Sequence, residues 1–372
     1  MEPRLVFRTH YQVEEPAYME FLVRCCTSPI KSAYPERVAA RLKQHIETRC
    51  RTRFNIAASR YAIDLARALG LVTPNNTWTD KGHLVSLIAQ VNGGEPEEQL
   101  SLNVAEKLLH FRLFLEADGA AFIYIARFLG EHGELAHSEA ISSSFVEDMF
   151  IHIFSTYLSV TSNPAQRVAL RTRIDELQSR GYGGRTGLGK TRQHKLRIHM
   201  QTLYRLGLLE RLDGTGGIVY RLPDRSSQST RGLESLLCEL PDILAMEERI
   251  ASREWPEIGA KILGIPYTFS AQLDEVREKC ILAALIHSYQ QVMSLGTPIC
   301  SLSAVIESAQ ITGLTERGWL VHYTQIIDLL REEQKKNPRD IQFHVDRRGR
   351  PAFIELSAKW MTTVDDQSLG AA

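Results

Sequence analysis

The chain has 372 residues, 44 basic and 44 acidic side chains for a formal net charge of zero, and 44% hydrophobic residues. That length gives room for two or three domains with filled cores, and without an 18-residue apolar run nothing in it is expected to span a membrane. The six cysteines (Cys25, Cys26, Cys50, Cys238, Cys280, Cys300) form no C-x-x-C pair and the start Met1-Glu2-Pro3-Arg4 is no signal peptide, so reduced thiols in a cytoplasm are expected.

Charge is laid out in blocks along the chain. Residues 36–60 carry Arg37, Arg41, Lys43, Arg49, Arg51, Arg53 and Arg60 against Glu36 and Glu47. A helical apolar run over 61–72 follows, then Asn75-Asn76-Thr77-Trp78-Thr79-Asp80-Lys81-Gly82, which reads as a turn and short strand leading into a helix. From 93 to 158 the sign reverses, with eleven acidic residues against Lys107, Arg112 and Arg127. Phe and Leu at helical spacing predict three helices there, over 103–116, 120–130 and 143–158. Such an acidic bundle repels phosphate, so it is expected to pack internally or to meet a protein.

Residues 163–200 reverse the sign again. Nine cations (Arg167, Arg171, Arg173, Arg180, Arg185, Lys190, Arg192, Lys195, Arg197) stand against Asp175 and Glu176, a local net of nine minus two, or +7. From Thr191, a candidate N-cap, Leu196, Met200, Leu203 and Gly207 form one stripe of a helix, and Arg192, Lys195, His199 and Thr202 form another face. Two short apolar stretches then bracket Asp213-Gly214-Thr215-Gly216-Gly217, which predicts a hairpin. Residues 223–232 read as a linker. Near the end, 315–334 is helix-like, and 341–356 alternates Ile341, Phe343 and Val345 with Gln342 and His344, a second hairpin with Arg347, Arg348 and Arg350 at its tip. Residues 362–372 are expected to be a mobile tail.

Helix, turn and hairpin recur at 61–82, 191–221 and 315–356, and in this order they resemble the winged-helix superfamily. The resemblance covers about half the chain in three pieces and implies architecture more strongly than function. It implies a mainly α chain of several winged-helix domains, helices plus small β-hairpin wings, joined by a helical bundle. The expected division is an N-terminal winged-helix-like domain (1–92), an acidic bundle (93–160), a central basic winged-helix domain (161–222), a linker (223–233), a C-terminal helical and winged-helix domain (234–361) and the tail (362–372).

Residues 184–191 also fit G-x-x-x-x-G-K-[ST], the pattern of a phosphate-cradling loop. That loop needs a buried strand before it. Here 166–177 is polar and helical in period, so 184–191 is expected to be a flexible basic turn and not a nucleotide site. His132, His137, Glu139 and His152 match no familiar metal-ligand spacing, and Ser142 to Ser144 and Ser226-Ser227 lack a G-x-S-x-G turn. Neither a metal, a cofactor nor catalysis is therefore expected.

A helix lying in a major groove would present the Arg192, Lys195 and His199 face, and a basic hairpin tip is similar to those that winged-helix proteins place against phosphates or in a minor groove. The expected DNA contacts are Arg180, Arg185, Lys190, Arg192, Lys195, Arg197 and His199 in the centre, Arg49, Arg51 and Arg53 before it, and Arg347, Arg348 and Arg350 as a supplement. The expected partners are double-stranded DNA and a protein held by 93–160 or 234–361. The expected role is the DNA-recognition or scaffold subunit of a prokaryotic DNA-processing, antiviral-defence or chromosome-maintenance complex. An adaptor for an SMC-like or helicase-like motor with little DNA binding of its own, or a transcription regulator, is the alternative.

Overall fold

The computed structural model describes residues 35–50, 55–74, 79–88, 102–180, 195–223, 236–240, 242–251, 253–269, 274–293 and 299–369. They are mainly helical, with two small antiparallel sheets and one short parallel pair. Among them no helix is long and apolar enough to cross a membrane.

The first helices are α1 (Pro35–Cys50), α2 (Ile56–Ala68) and α3 (Asp80–Ile88). Gly70, at φ 72°, turns the chain after α2. The expected turn and strand at 75–78 lie outside the described residues. The organising helix is α4 (Val104–His132). Asn103 caps it by accepting from the Glu106 amide at 2.9 Å, while the Glu106 carboxylate accepts from the Asn103 amide at 2.7 Å. Asp118, at φ −141° and ψ 33°, kinks α4 between the two stretches the sequence reads as separate helices. Its apolar faces are buried on most sides, so it is a core helix and not a surface one.

After α4 come β1 (Glu134–Ala136), the short α5 (His137–Ala140), and the paired helices α6 (Ser143–Val160) and α7 (Pro164–Arg180). Arg167 closes the turn between that pair, donating to the carbonyls of Leu158 and Thr161 at 3.1 and 2.9 Å. The next elements are α8 (Lys195–Arg205), β2 (Glu210–Gly214) and β3 (Gly217–Arg221). The sheet order is β1-β3-β2, all antiparallel, with buried Leu135 opposite buried Tyr220. The expected division at 160/161 therefore runs through a sheet: β1 lies on one side of it and β2 and β3 on the other.

Next come α9 (Ile243–Ala251) and α10 (Trp255–Ile262). They pack on α4 where glycine leaves room for a neighbour's side chain. A Cβ on Gly119 would meet Met246 Sδ at 2.1 Å, and one on Gly259 would meet Leu108 Cδ1 at 2.3 Å. Residues from Ala39 to Ile262 thus share one continuous core. The expected C-terminal domain starting at 234 is corrected accordingly, since Leu236 through Ile262 belong to the first core.

The remainder builds a second core from Ile281 to Val364. Its elements are α11 (Glu275–Met293), β5 (Cys300–Ser301), α12 (Leu302–Arg317), α13 (Tyr323–Lys336), β7 (Ile341–Val345), β8 (Pro351–Leu356) and α14 (Ala358–Leu369). A parallel pair, β4 (Thr268–Phe269) with β6 (Trp319–Leu320), ties the start of this region to the end of α12. Its sheet order, β5-β8-β7, repeats that of the first sheet. Two expectations are corrected here. The helix read over 315–334 is broken at Gly318, whose left-handed φ of 66° ends α12. The tail expected from 362 is helical through Leu369, with Val364 in the second core.

Helix α12 is the wall between the cores. Ala304, Ile311 and Leu314 face the first, and Leu302, Val305, Ile306 and Ala309 face the second.

Candidate nucleic-acid interface

The β7–β8 hairpin puts its arginines into solvent by a local device. The Asp346 carboxylate accepts from the Arg348 and Arg350 amides at 2.8 and 3.0 Å, and the Gly349 amide donates to the Asp346 carbonyl at 2.9 Å. Gly349 takes φ 75°, the left-handed residue that a tight hairpin tip requires. Chiefly through the Arg350 amide, these donors hold the Asp346 carboxyl below its ordinary range. Arg347, Arg348 and Arg350 are all exposed, and only Arg350 makes an ion pair with Asp346, at 3.3 Å.

Below the tip, α13 buries Ile326, Leu329 and Leu330 and exposes Thr324, Asp328, Arg331, Glu332, Lys335 and Lys336. Gln334 ties it to the hairpin by donating to the Ile341 carbonyl at 3.2 Å. Its exposed pairs, Arg331 with Asp328 at 3.5 Å and Lys336 with Glu333 at 2.7 Å, are worth about 0–1 kcal/mol each. A phosphate can displace them at little cost.

The central unit presents a different surface. Its hairpin tip offers Asp213, and the nearby Arg211 is committed to that carboxylate at 3.0 Å. In α8, Leu196, Ile198, His199, Met200, Gln201, Thr202 and Leu203 are all buried, and Arg197, Tyr204 and Arg205 are half-buried. The expected groove-facing position of His199 is therefore corrected. The ring is fully buried, its Nε2 lies 3.2 Å from Asp118 Oδ2, and it packs against Phe122 with centroids 5.4 Å apart. The cause is the α4 kink, which turns a carboxylate inward and gives an imidazole a buried partner.

Arg347, Arg348 and Arg350 stand together at one hairpin tip, in the unit built on the second core, whereas α8 is buried in the first. Arg197 is half-buried in α8, Lys195 begins that helix and Arg180 ends α7. Arg185, Lys190 and Arg192, with the whole 184–191 motif, lie outside the described residues, as do Arg51 and Arg53; Arg49 is in the last turn of α1. On α7, Arg171 and Arg173 are exposed, the latter paired with Glu176 at 2.8 Å. The four residues weighed as metal ligands do not converge: His132 stacks on Phe128, His152 lies against Tyr124 and His137 near Tyr220.

Sequence reasoning missed the charge cluster at the seam of the two cores. Arg112 on α4 pairs with Glu307 on α12 and with Glu116 at 3.1 Å, and its guanidinium lies 4.7 Å over the Trp255 ring. Lys81 on α3 pairs with Glu116. Burial works to raise Glu116, and Arg112 and Lys81 overcome it and hold the group low. Deeper burial wins at Glu307, which stays raised despite Arg112. Arg112 itself, which burial alone would lower, is raised by the two carboxylates. Arg253, at φ 63°, lies 4.1 Å over the Tyr323 ring beside this cluster. With Arg112 and Glu307 195 positions apart, no local pattern could have announced the pair.

No family model matches the chain, nor does any curated protein or solved structure.

Proposed function

We propose that this chain binds double-stranded DNA through winged-helix units and serves as the DNA-recognition or scaffold subunit of a DNA-processing, defence or chromosome-maintenance complex. One observation carries the reading: three exposed arginines on a hairpin tip braced by Asp346, at the end of a helix–strand–helix–helix–hairpin unit. The strand order β5-β8-β7, and its repetition as β1-β3-β2, supports the winged-helix architecture. In this reading the arginines meet phosphates or the minor groove, and the exposed face of α13 lies against the duplex. The cations of 180–197 add sequence-independent attraction. Burial of His199 and Thr202 moves the weight of base readout away from α8 and toward the C-terminal unit.

The test is fluorescence anisotropy of a labelled duplex over a salt series. Affinity should fall steeply between about 50 and 200 mM salt. Neutralising Arg347, Arg348 and Arg350 together should weaken binding by about tenfold or less and flatten the log–log salt slope by up to about 2.7, three phosphates at about 0.9 each. Absence of salt-dependent binding by the folded chain sinks the proposal. It would favour the adaptor reading, which the ion-paired face of α13 and the exposed Val345 and Phe353 also support.

A further inference from the structure

A partly open groove of about 750 Å³ runs between α11 and α12, with Ile88 and Ala105 of the first core in its wall. That volume suits a whole small molecule. Two contacts fix the direction of the helices along it. Ser288 donates to Ser308 at 2.9 Å, and farther along the Arg277 guanidinium lies 5.5 Å from the centroid of the Trp319 ring, just beyond α12. The helices are therefore antiparallel, and the groove has two unlike ends. Its middle is apolar and underfilled: Ala283 and Ala284 on α11 line it with Ala309, Ile311 and Gly313 on α12. A Cβ on Gly313 would meet nothing nearer than the Trp319 carbonyl oxygen at 3.6 Å, so room remains above that stretch of backbone.

Charge gathers at the Trp319 end. Arg317, the last residue of α12, is exposed, lines the groove and makes no ion pair among the described residues. Lys279 lines the same end from α11, and its partner Glu275 holds it at 2.8 Å in an exposed pair that an incoming anion displaces at little cost. Glu316 also lines the groove, but successive residues on a helix do not face each other, so it leaves the Arg317 guanidinium available. His287, exposed, lies toward the opposite end beside Ser288.

We infer that this groove binds an amphipathic carboxylic acid, its apolar body lying between α11 and α12 and its carboxylate on Arg317 and Lys279. The body displaces water from the alanine and isoleucine walls, and the planar guanidinium matches the carboxylate with two parallel donors. A neutral molecule of the same shape gains the first contribution and lacks the second. Because α3, α4, α11 and α12 all contribute, an occupant would sit at the seam of the two cores. This inference is independent of the DNA-binding proposal.

The experiment is saturation-transfer NMR and calorimetry on the full chain at low salt with octanoate and naphthoate, each against its primary amide. An acid should bind, and at least about threefold more tightly than its amide, the difference a partly exposed guanidinium makes to a carboxylate. The tighter of the two acids gives the class of the body, acyl or aryl. Arg317→Gln, at an exposed position, should bring the acid to within about twofold of the amide. Gly313→Leu, whose backbone is not left-handed, should block both compounds by filling the groove. The wild-type comparison needs no variant, so poor folding of either mutant leaves the test intact. An amide that binds as well as its acid, an acid preference kept in folded Arg317→Gln, binding that survives in folded Gly313→Leu, or no binding of either acid to the wild type overturns the inference.

Discussion

Replacing Arg112 with methionine would strand a carboxylate at the seam between the cores. Glu307 is 5% exposed and Arg112 is the cation paired with it, whereas Glu116 retains Lys81 as a second partner. Arg253 remains as a lesser cation near Glu307, so the cost lies toward the lower part of the about 3–5 kcal/mol that breaking such a pair from one side costs. Loss of the guanidinium over Trp255 adds about 0.5–1 kcal/mol. Glu307 can escape part of this by taking a proton, since its burial already raises it. A loss of about 3–4 kcal/mol at neutral pH is expected, read as a lower midpoint in urea denaturation with an unchanged slope. The sign with pH follows from the raised carboxyl. The native state binds this proton more tightly than the unfolded state, so the variant should regain stability as pH falls from 7 toward the ordinary carboxylate range. Arg112→Met combined with Glu307→Leu removes both charges and should recover most of the loss, a coupling of about 2–3 kcal/mol. A single variant that loses less than about 1 kcal/mol, or a double variant no better than the single, would refute the account of how the cores are joined.

His199→Leu should destabilise by about 1–3 kcal/mol, because Asp118 loses a buried partner, while leaving duplex affinity of the folded protein unchanged; a selective loss of affinity would return this helix to the interface. Burial depresses His83 and, with help from Arg127, His152. A histidine whose folded pKa is lowered costs stability as pH falls from about 6.5 toward its folded value, so urea midpoints should drop over that window and drop less in His83→Gln/His152→Gln. Lys190→Ala should weaken duplex binding modestly in anisotropy, and the chain should not bind ATP; calorimetric ATP binding that vanishes in this variant would make 184–191 a phosphate loop after all.

Both hairpins were legible because their signals are local: Gly-rich or Gly-turned tips between alternating apolar residues at 210–221 and 341–356. The kinked α4 was legible in two halves, since Phe and Leu recur at helical spacing on either side of Asp118. The partner strands were not, as β1 has three residues and β5 two, too few for any alternation to show. The face of α8 was misread for a different reason. A polar residue opposite an apolar stripe ordinarily faces water, but here α4 supplies Asp118 and Phe122 to meet His199, and sequence alone cannot distinguish a solvated imidazole from a buried paired one. The Arg112 cluster is likewise a property of elements far apart in the chain.

The lateness of β3 bears on how the chain is made. Strand β1 ends at Ala136 and its sheet partner among the described residues begins at Gly217, 81 residues later. At a synthesis rate of roughly 5–20 residues per second, β1 emerges from the ribosome about 4–16 seconds before it can pair. Throughout that interval Leu135 lacks Tyr220 opposite it and the edge of β1 is open to strand addition. Nascent or prematurely terminated chains that stop before residue 217 should therefore be the species that engage holdase chaperones and proteases.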